Sequence, residues 1–95
     1  MKKLNKPIID MKNTGAKLKS LRQFKKVSVK NLQEIFGMEN PQAIYNWESG
    51  KNMPSIDNLL ILANIYDVSL ESIIAFNTVE IDISEENRIP LKAAV

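Results

Sequence analysis

The chain of 95 residues contains neither cysteine nor histidine. Without cysteine, a disulfide framework and a thiolate metal site are excluded. Without histidine, the chain lacks the commonest general base, the usual partner in a catalytic triad and the usual metal ligand. It also has no glycine-rich phosphate loop and no clustered carboxylate motif. We therefore predict that it is not an enzyme and that it binds no cofactor and no metal.

Long hydrophobic runs are also missing. No apolar stretch approaches the roughly 18–20 residues of a membrane span, and the N-terminal segment lacks the apolar core of a signal peptide. The composition, with 44% hydrophobic and 25% charged residues, is that of an ordinary globular domain, and the length allows one domain. We expect a cytoplasmic protein that does not contact a membrane.

Charge is distributed unevenly, although the net charge is only +2. Residues 1–30 carry a net charge of +9, residues 31–76 carry −5 and residues 77–95 carry −2. Such asymmetry indicates a basic side that faces a polyanion. The alternative is that the lysines only solubilise an N-terminal arm and one helix face.

The most informative stretch begins at Asn40, a residue type that caps helices and is followed here by a proline, which suits the first helical position. Ile44 and Trp47 lie three residues apart and so share a face that packs on a core. Gly50 allows the positive φ with which helices commonly end. The pattern predicts a short helix over residues 41–49 whose remaining face is polar.

That polar face presents uncharged groups that can read base edges in the major groove. The forked amide of Gln42 can pair bidentately with adenine, and Asn46 lies one turn further along the same face. Tyr45 lies between them in angle, and the methyl group of Ala43 suits the methyl group of thymine. We predict that these four residues read bases. The alternative is that Gln42 and Asn46 are ordinary exposed polar residues.

A second short helix is predicted just upstream. Ser28 is a capping residue, and Leu32, Ile35 and Phe36 recur at helical spacing. Gly37 then marks the stop. Two short helices joined by a glycine-containing turn form a helix-turn-helix, whose second helix enters the major groove.

Residues 14–76 resemble the lambda-repressor-like, Cro/XRE-type helix-turn-helix family of DNA-binding transcription regulators. The resemblance depends on the order and spacing of its landmarks over about two-thirds of the chain. The landmarks are Leu21, Arg22, Leu32, Gly37, Ile44, Trp47, Glu48, Gly50, Lys51, Pro54, Ser55, Leu59, Leu62 and Ala63.

The expected fold class is all-α, a compact five-helix lambda-repressor-like bundle that contains the helix-turn-helix. The first helix should begin at Thr14, the fourth at Ser55 and the fifth after the cap Ser69. The expected division is a basic N-terminal arm over 1–12, the helix-turn-helix domain over 13–76 and a C-terminal tail over 77–95.

Phosphate contacts are predicted at the ends of the two helices, where lysines, amides and free backbone N–H groups can meet the DNA backbone. The residues are Lys30, Asn31, Asn40, Lys51 and Asn52. The family resemblance further implies that Arg22 pairs with Glu48 and ties the first helix to the third. We expect this pair to be structural.

The chain departs from the family pattern around the turn. Gly37 and Glu48 are eleven residues apart rather than ten, so the turn before the third helix has one extra residue. Gln33 replaces the small alanine usual after the leucine of the second helix, which predicts looser or slightly rotated packing between the two helices. Glu39 places a negative charge near the expected DNA face.

The tail leaves two alternatives open. Residues 79–84 alternate between apolar and polar types, which is the period of a strand. Such a strand could pair with Ile8 and Ile9 or with its counterpart in a second copy of the chain. Otherwise the tail is disordered.

The predicted function is sequence-specific binding of double-stranded DNA by a transcription regulator. One half-site carries little specificity, so we expect a homodimer on half-sites about 34 Å apart. The alternative is a protein-interaction module, such as an antitoxin or an adaptor, that binds a protein partner through residues 77–95.

Overall fold

The structure is a computed structural model that describes residues 2–83. In chain order its elements are β1 (Lys2–Ile9), α1 (Met11–Phe24), α2 (Val29–Phe36), α3 (Gln42–Ser49), α4 (Ile56–Tyr66), α5 (Leu70–Ile73) and β2 (Phe76–Ile83). Most of the predicted tail, residues 84–95, lies outside the described residues.

The five predicted helices are present, and side-chain caps explain where they start. The hydroxyl groups of Ser28, Ser55 and Ser69 accept hydrogen bonds from backbone N–H groups at the starts of α2, α4 and α5. α1 begins three residues before the predicted Thr14, because Asp10 caps it there by accepting from the backbone N–H of residue 13 at 2.9 Å.

The predicted all-α class is wrong. β1 and β2 form a two-stranded antiparallel sheet, in which Lys2 pairs with Ile83 and Ile9 pairs with Phe76. The predicted basic arm is therefore mostly a strand, and its partner is the start of the predicted tail. Local patterns reveal a strand period but not which distant segment pairs with it, because the two strands come from opposite ends of the chain.

The base of the two-stranded sheet is fastened to α1. The hydroxyl group of Thr14 accepts a hydrogen bond from the backbone N–H of Ala75 at 2.9 Å and donates to its carbonyl oxygen at 3.3 Å. The backbone N–H of Asp10 donates to the same carbonyl at 2.8 Å. Thr14 is fully buried, so these bonds hold the start of β2 against α1 in a site that water does not reach.

One hydrophobic core lies inside the bundle, and all five helices contribute to it. Its buried residues are Leu18, Leu32, Ile44, Trp47, Leu59, Leu62, Ala63, Tyr66 and Ile73. In α3 only Ile44 and Trp47 are buried, so the rest of this short helix is at least partly open to solvent.

Candidate nucleic-acid interface

α2 and α3 form the helix-turn-helix, and aromatic packing joins them. The ring of Phe36, the last residue of α2, meets the ring of Trp47 edge-to-face, with centroids 5.4 Å apart and planes at 78°. Trp47 is only 7% exposed, as predicted for a core anchor. Gly37 follows α2 with φ of 65°, a left-handed conformation, and turns the chain towards α3.

Gln33 braces the turn between the two helices. Its Nε2 donates hydrogen bonds to the carbonyl oxygens of Met38 at 3.2 Å and Glu39 at 3.1 Å. The backbone N–H of Met38 also donates to the carbonyl of Gln33 at 2.9 Å. An alanine at this position could not reach these carbonyls. The residue that was expected to loosen the packing therefore supports the longer turn.

The two ends of α3 are capped by Pro41 and Gly50. α3 begins at Gln42, one residue later than predicted, because Pro41 takes the cap position and makes no side-chain hydrogen bond there. Asn40, the predicted cap, lies one residue before it, and its Oδ1 accepts a hydrogen bond from the backbone N–H of Gln42 at 3.0 Å. Gly50 has φ of 81° and donates its N–H to carbonyls at the end of the helix. A Cβ atom at Gly50 would lie 2.6 Å from Cα of Lys12. The C-terminus of α3 is therefore pressed against the start of α1.

Two amide side chains lie side by side on the outer face of α3. Nε2 of Gln42 donates a hydrogen bond to Oδ1 of Asn46 at 3.0 Å, and we call these two residues the amide pair. Tyr45, between them in sequence, is half exposed. Ala43 and Asn46 are both half-buried, and Ala43 packs against the core.

The residues predicted to bind phosphate are all exposed. They are Lys30, Asn31, Asn40, Lys51 and Asn52. Asn31 has a second role, because its Oδ1 accepts from the backbone N–H of Ser28 at 3.3 Å and from its hydroxyl group at 2.7 Å. This capping box fixes the amide of Asn31 with its Nδ2 turned away from Ser28.

Arg22 of α1 and Glu48 of α3 form a bidentate ion pair. Nε of Arg22 donates to one carboxylate oxygen at 2.7 Å, and Nη2 donates to the other at 3.1 Å. The side chains are only 13% and 7% exposed, so water screens them weakly. The hydrogen bond with Glu48 raises the pKa of Arg22 above its ordinary value. Nη1 also donates to the carbonyl of Val27 at 3.3 Å, which links the α1–α2 loop to the pair.

Tyr66 of α4 is fully buried, and its phenol is influenced by the charges of Arg22 and Glu48. Burial, and secondarily the negative charge of Glu48, raises the pKa of the Tyr66 phenol to about 12, although Arg22 acts in the opposite direction. The phenol is therefore neutral at physiological pH, and the core beneath α3 gains no further charge from it.

Gly15 permits the close approach of α1 to α3. A Cβ atom at this position would lie 2.7 Å from the carbonyl oxygen of Glu48 and closer still to that of Trp47. Only glycine fits between these backbones. Sequence reasoning did not single out Gly15. A glycine in the interior of a predicted helix is the signal that could have found it.

The sequence profile of the helix-turn-helix family matches residues 18–73, which is more than half of the chain. The chain belongs to the helix-turn-helix family. The family is of the Cro/C1 type, and membership makes this chain a DNA-binding regulator of transcription.

Two solved structures have a similar helix-turn-helix fold. They are the DNA-binding domain of BldD and the DNA-binding domain of S. venezulae BldD. Each is 23% identical to this chain with a TM-score of 0.58 over 68% of it, and the matches cover 93% and 96% of the respective BldD chains. At this identity the likeness is one of fold. No curated protein matches the chain.

The helix-turn-helix bundle is built from short helices. Across residues 2–83, none of the helices is both long enough and apolar enough to cross a membrane.

Proposed function

We propose that this helix-turn-helix protein recognises a specific double-stranded DNA sequence by inserting α3 into the major groove. The amide pair carries the proposal. Its two side chains occupy successive turns of one helix face, with Gln42 exposed and Asn46 half-buried, and their mutual hydrogen bond at 3.0 Å aligns them before DNA arrives. Prealigned groups lose less conformational freedom on binding than free ones.

The chemistry of the amide pair suits adenine. With Nε2 of Gln42 bonded to Asn46, the Oε1 of Gln42 remains as an acceptor and the Nδ2 of Asn46 as a donor. Adenine offers the complementary set in the major groove, an N6 donor and an N7 acceptor. Tyr45 adds a hydroxyl group for a base edge or a phosphate. Each well-formed bidentate contact contributes about 1–3 kcal/mol of discrimination between bases.

Phosphate contacts would set the position of α3 in the groove. Lys30 and Lys51 are exposed near the start of α2 and after α3, and lysine binds phosphate without reading sequence. The amide Nδ2 of Asn31 is held away from its capping partner and can donate to a phosphate. Asn40 and Asn52 are exposed at the two ends of α3 and complete the proposed set.

A homodimer is part of the proposal. One short helix reads about four or five base pairs, too few to distinguish one site from the 10⁶–10⁹ competing sites of a genome. Two copies on inverted half-sites about 34 Å apart would supply the missing discrimination.

Selection from a random duplex library at near-physiological salt tests this function. We expect enrichment of an inverted repeat that binds roughly a thousandfold or more tightly than random duplex. Gln42→Ala combined with Asn46→Ala should abolish the enrichment. Asn64→Ala, which removes an exposed amide from α4 instead, should preserve it.

Binding without any enriched motif, or with the same motif in the double variant, would contradict readout by the amide pair. If the chain binds no DNA at all, the interaction-module alternative takes its place.

A further inference from the structure

β1 and β2 form an amphipathic ribbon. Cross-strand partners lie on the same face, so the register places Leu4 beside Ile81 and Ile8 beside Asn77. Alternation along the strands adds Val79 and Ile83 to the same side. We call Leu4, Ile8, Val79, Ile81 and Ile83 the apolar ribbon face. The opposite face carries the ion pair between Lys3 and Glu80 at 2.9 Å.

The apolar ribbon face is largely uncovered. Leu4, Ile8, Val79 and Ile81 are 40%, 47%, 43% and 37% exposed. The described residues extend 53 Å along one axis and only 24 and 23 Å along the others. Eight residues of strand account for about 26 Å of such a length, so the ribbon projects from the bundle as an arm.

An isolated two-stranded ribbon is marginally stable in water, and an antiparallel sheet normally packs one of its faces on apolar surface. The base of this ribbon is fastened to α1 through Thr14 and Asp10. Beyond that base, each residue of both strands is exposed except Ile83, which is half-buried. The alternation of residue types therefore indicates that this face packs against another surface, and residues 2–83 of the same molecule do not supply that surface.

We propose that a second copy of this chain covers the apolar ribbon face, with the two ribbons stacked face to face about a two-fold axis parallel to the strands. This arrangement follows from charge. Lys2 and Lys6 stand on the same face as the apolar residues but only on β1, whereas β2 carries the acidic Glu80 and Asp82 on its other side.

An axis parallel to the strands places β1 of each copy over β2 of the other. The stems of Lys6 and Lys2 then lie over Val79 and Ile83 of the other copy, the residues with which these two lysines are in register, and their ammonium groups approach the acidic strand. An axis across the strands would instead stack β1 on β1 and bring Lys2 and Lys6 of the two copies together, which like charges oppose. The parallel axis also leaves both helix bundles at the same end of the stacked ribbons.

The size of the face sets the expected affinity. The ribbon has only two strands, about 4.8 Å apart. Its apolar face therefore has a smaller area than the roughly 800 Å² that each partner buries in a standard interface. We therefore expect a dimer that dissociates in the micromolar range, as small interfaces do. The inference deepens the proposed function, because it says how two copies would meet, but its test requires no DNA.

Sedimentation equilibrium of the full chain from about 1 to 200 µM tests the proposal, and we expect a reversible monomer–dimer equilibrium. Val79→Lys places a charge in the centre of the apolar ribbon face and should weaken dimerisation at least thirtyfold, because each dimer would bury two unpaired charges. Thr78→Lys adds the same charge one residue earlier, on the opposite face of the same strand, and should leave the equilibrium unchanged.

Val79→Thr is a second variant for the case in which a lysine at position 79 unfolds the ribbon. Threonine is β-branched and suits a strand as valine does, yet it should weaken dimerisation about tenfold, because a methyl group is lost from the interface in both copies. A wild-type monomer throughout the concentration range, or a dimer that Val79→Lys leaves intact, would overturn the proposal. Neither result would touch DNA binding by one copy, so the proposed function is tested separately.

Discussion

At the scale of single residues, the pair of Arg22 and Glu48 shows how burial decides what an ion pair contributes. An exposed pair would contribute about 0–1 kcal/mol. Here both side chains are mostly buried and joined by two hydrogen bonds. Loss of one partner would therefore leave an uncompensated charge in a poorly solvated site.

Glu48→Ala should lower the free energy of unfolding by about 3–5 kcal/mol, because Arg22 would remain charged and unpaired. For a domain of this size the midpoint of thermal unfolding should fall by more than 10 °C. Glu34→Ala removes an exposed carboxylate from α2 and should change stability by less than about 0.5 kcal/mol. Thermal and urea melts followed by circular dichroism check both values.

DNA affinity is a second property to measure for the Glu48→Ala variant. Under conditions in which Glu48→Ala remains folded, its affinity for DNA should fall only to the extent that loss of the ion pair displaces α3. Unchanged stability with lost DNA binding would mean that Glu48 acts at the DNA rather than within the fold.

Sequence and structure agree best for residues whose role is local. The hydroxyl caps and the glycines at helix ends follow from neighbouring residues, and so do the burials of Ile44 and Trp47. Roles that depend on distant partners were missed. Thr14 resembles a cap, yet it lies inside α1 and bonds to Ala75, and Gln33 acts on a turn whose geometry its spacing does not reveal.

At the scale of elements, the close packing of α1 on α3 positions the predicted reading helix. Gly15 allows the two backbones to approach, and the Arg22–Glu48 pair fixes them two turns further along α1. The pose of α3 is therefore set from inside the bundle as much as by the turn that precedes it.

Gly15→Ala should destabilise the protein by about 1–3 kcal/mol, because the added methyl group would overlap carbonyl oxygens and force α1 away from α3. Lys19→Ala, an exposed substitution on the same helix, should stay within about 0.5 kcal/mol of the wild type. Chemical denaturation measures both. A Gly15→Ala variant as stable as the wild type would contradict the prediction, because α1 and α3 could then move apart without any loss in the free energy of unfolding.

The sheet is the element that sequence reasoning placed incompletely. The alternation after Phe76 indicates a strand, and pairing with Ile8 and Ile9 was one of the alternatives. The all-α expectation failed because β1 is lysine-rich and interrupted by a proline, so its own sequence carries a weak strand signal. Its pairing with β2 becomes evident only when the bundle brings the two ends of the chain together.

At the scale of the whole molecule, the basic residues of the N-terminal third are shared between the two-stranded ribbon and the helix bundle. Three of the N-terminal lysines, Lys2, Lys3 and Lys6, lie in β1 beside the acidic β2. The N-terminal excess of positive charge therefore partly serves the ribbon and is not all available to DNA. This division explains why charge alone indicated a polyanion without locating its binding surface.

The molecule thus combines a helix bundle that presents the amide pair with a ribbon that offers an apolar face. The first is proposed to read DNA and the second to join two copies. The two parts lie on different elements, so variants in one can be tested without altering the other.

The central claim is that the amide pair reads bases from α3. The most direct test measures the affinities of the wild type and of Gln42→Ala for the enriched duplex and for duplexes substituted at each base pair in turn. We predict that Gln42→Ala loses about 1–3 kcal/mol of discrimination at one A·T pair in each half-site and keeps it elsewhere. Equal weakening on every duplex, or no change on any, would contradict base reading by Gln42.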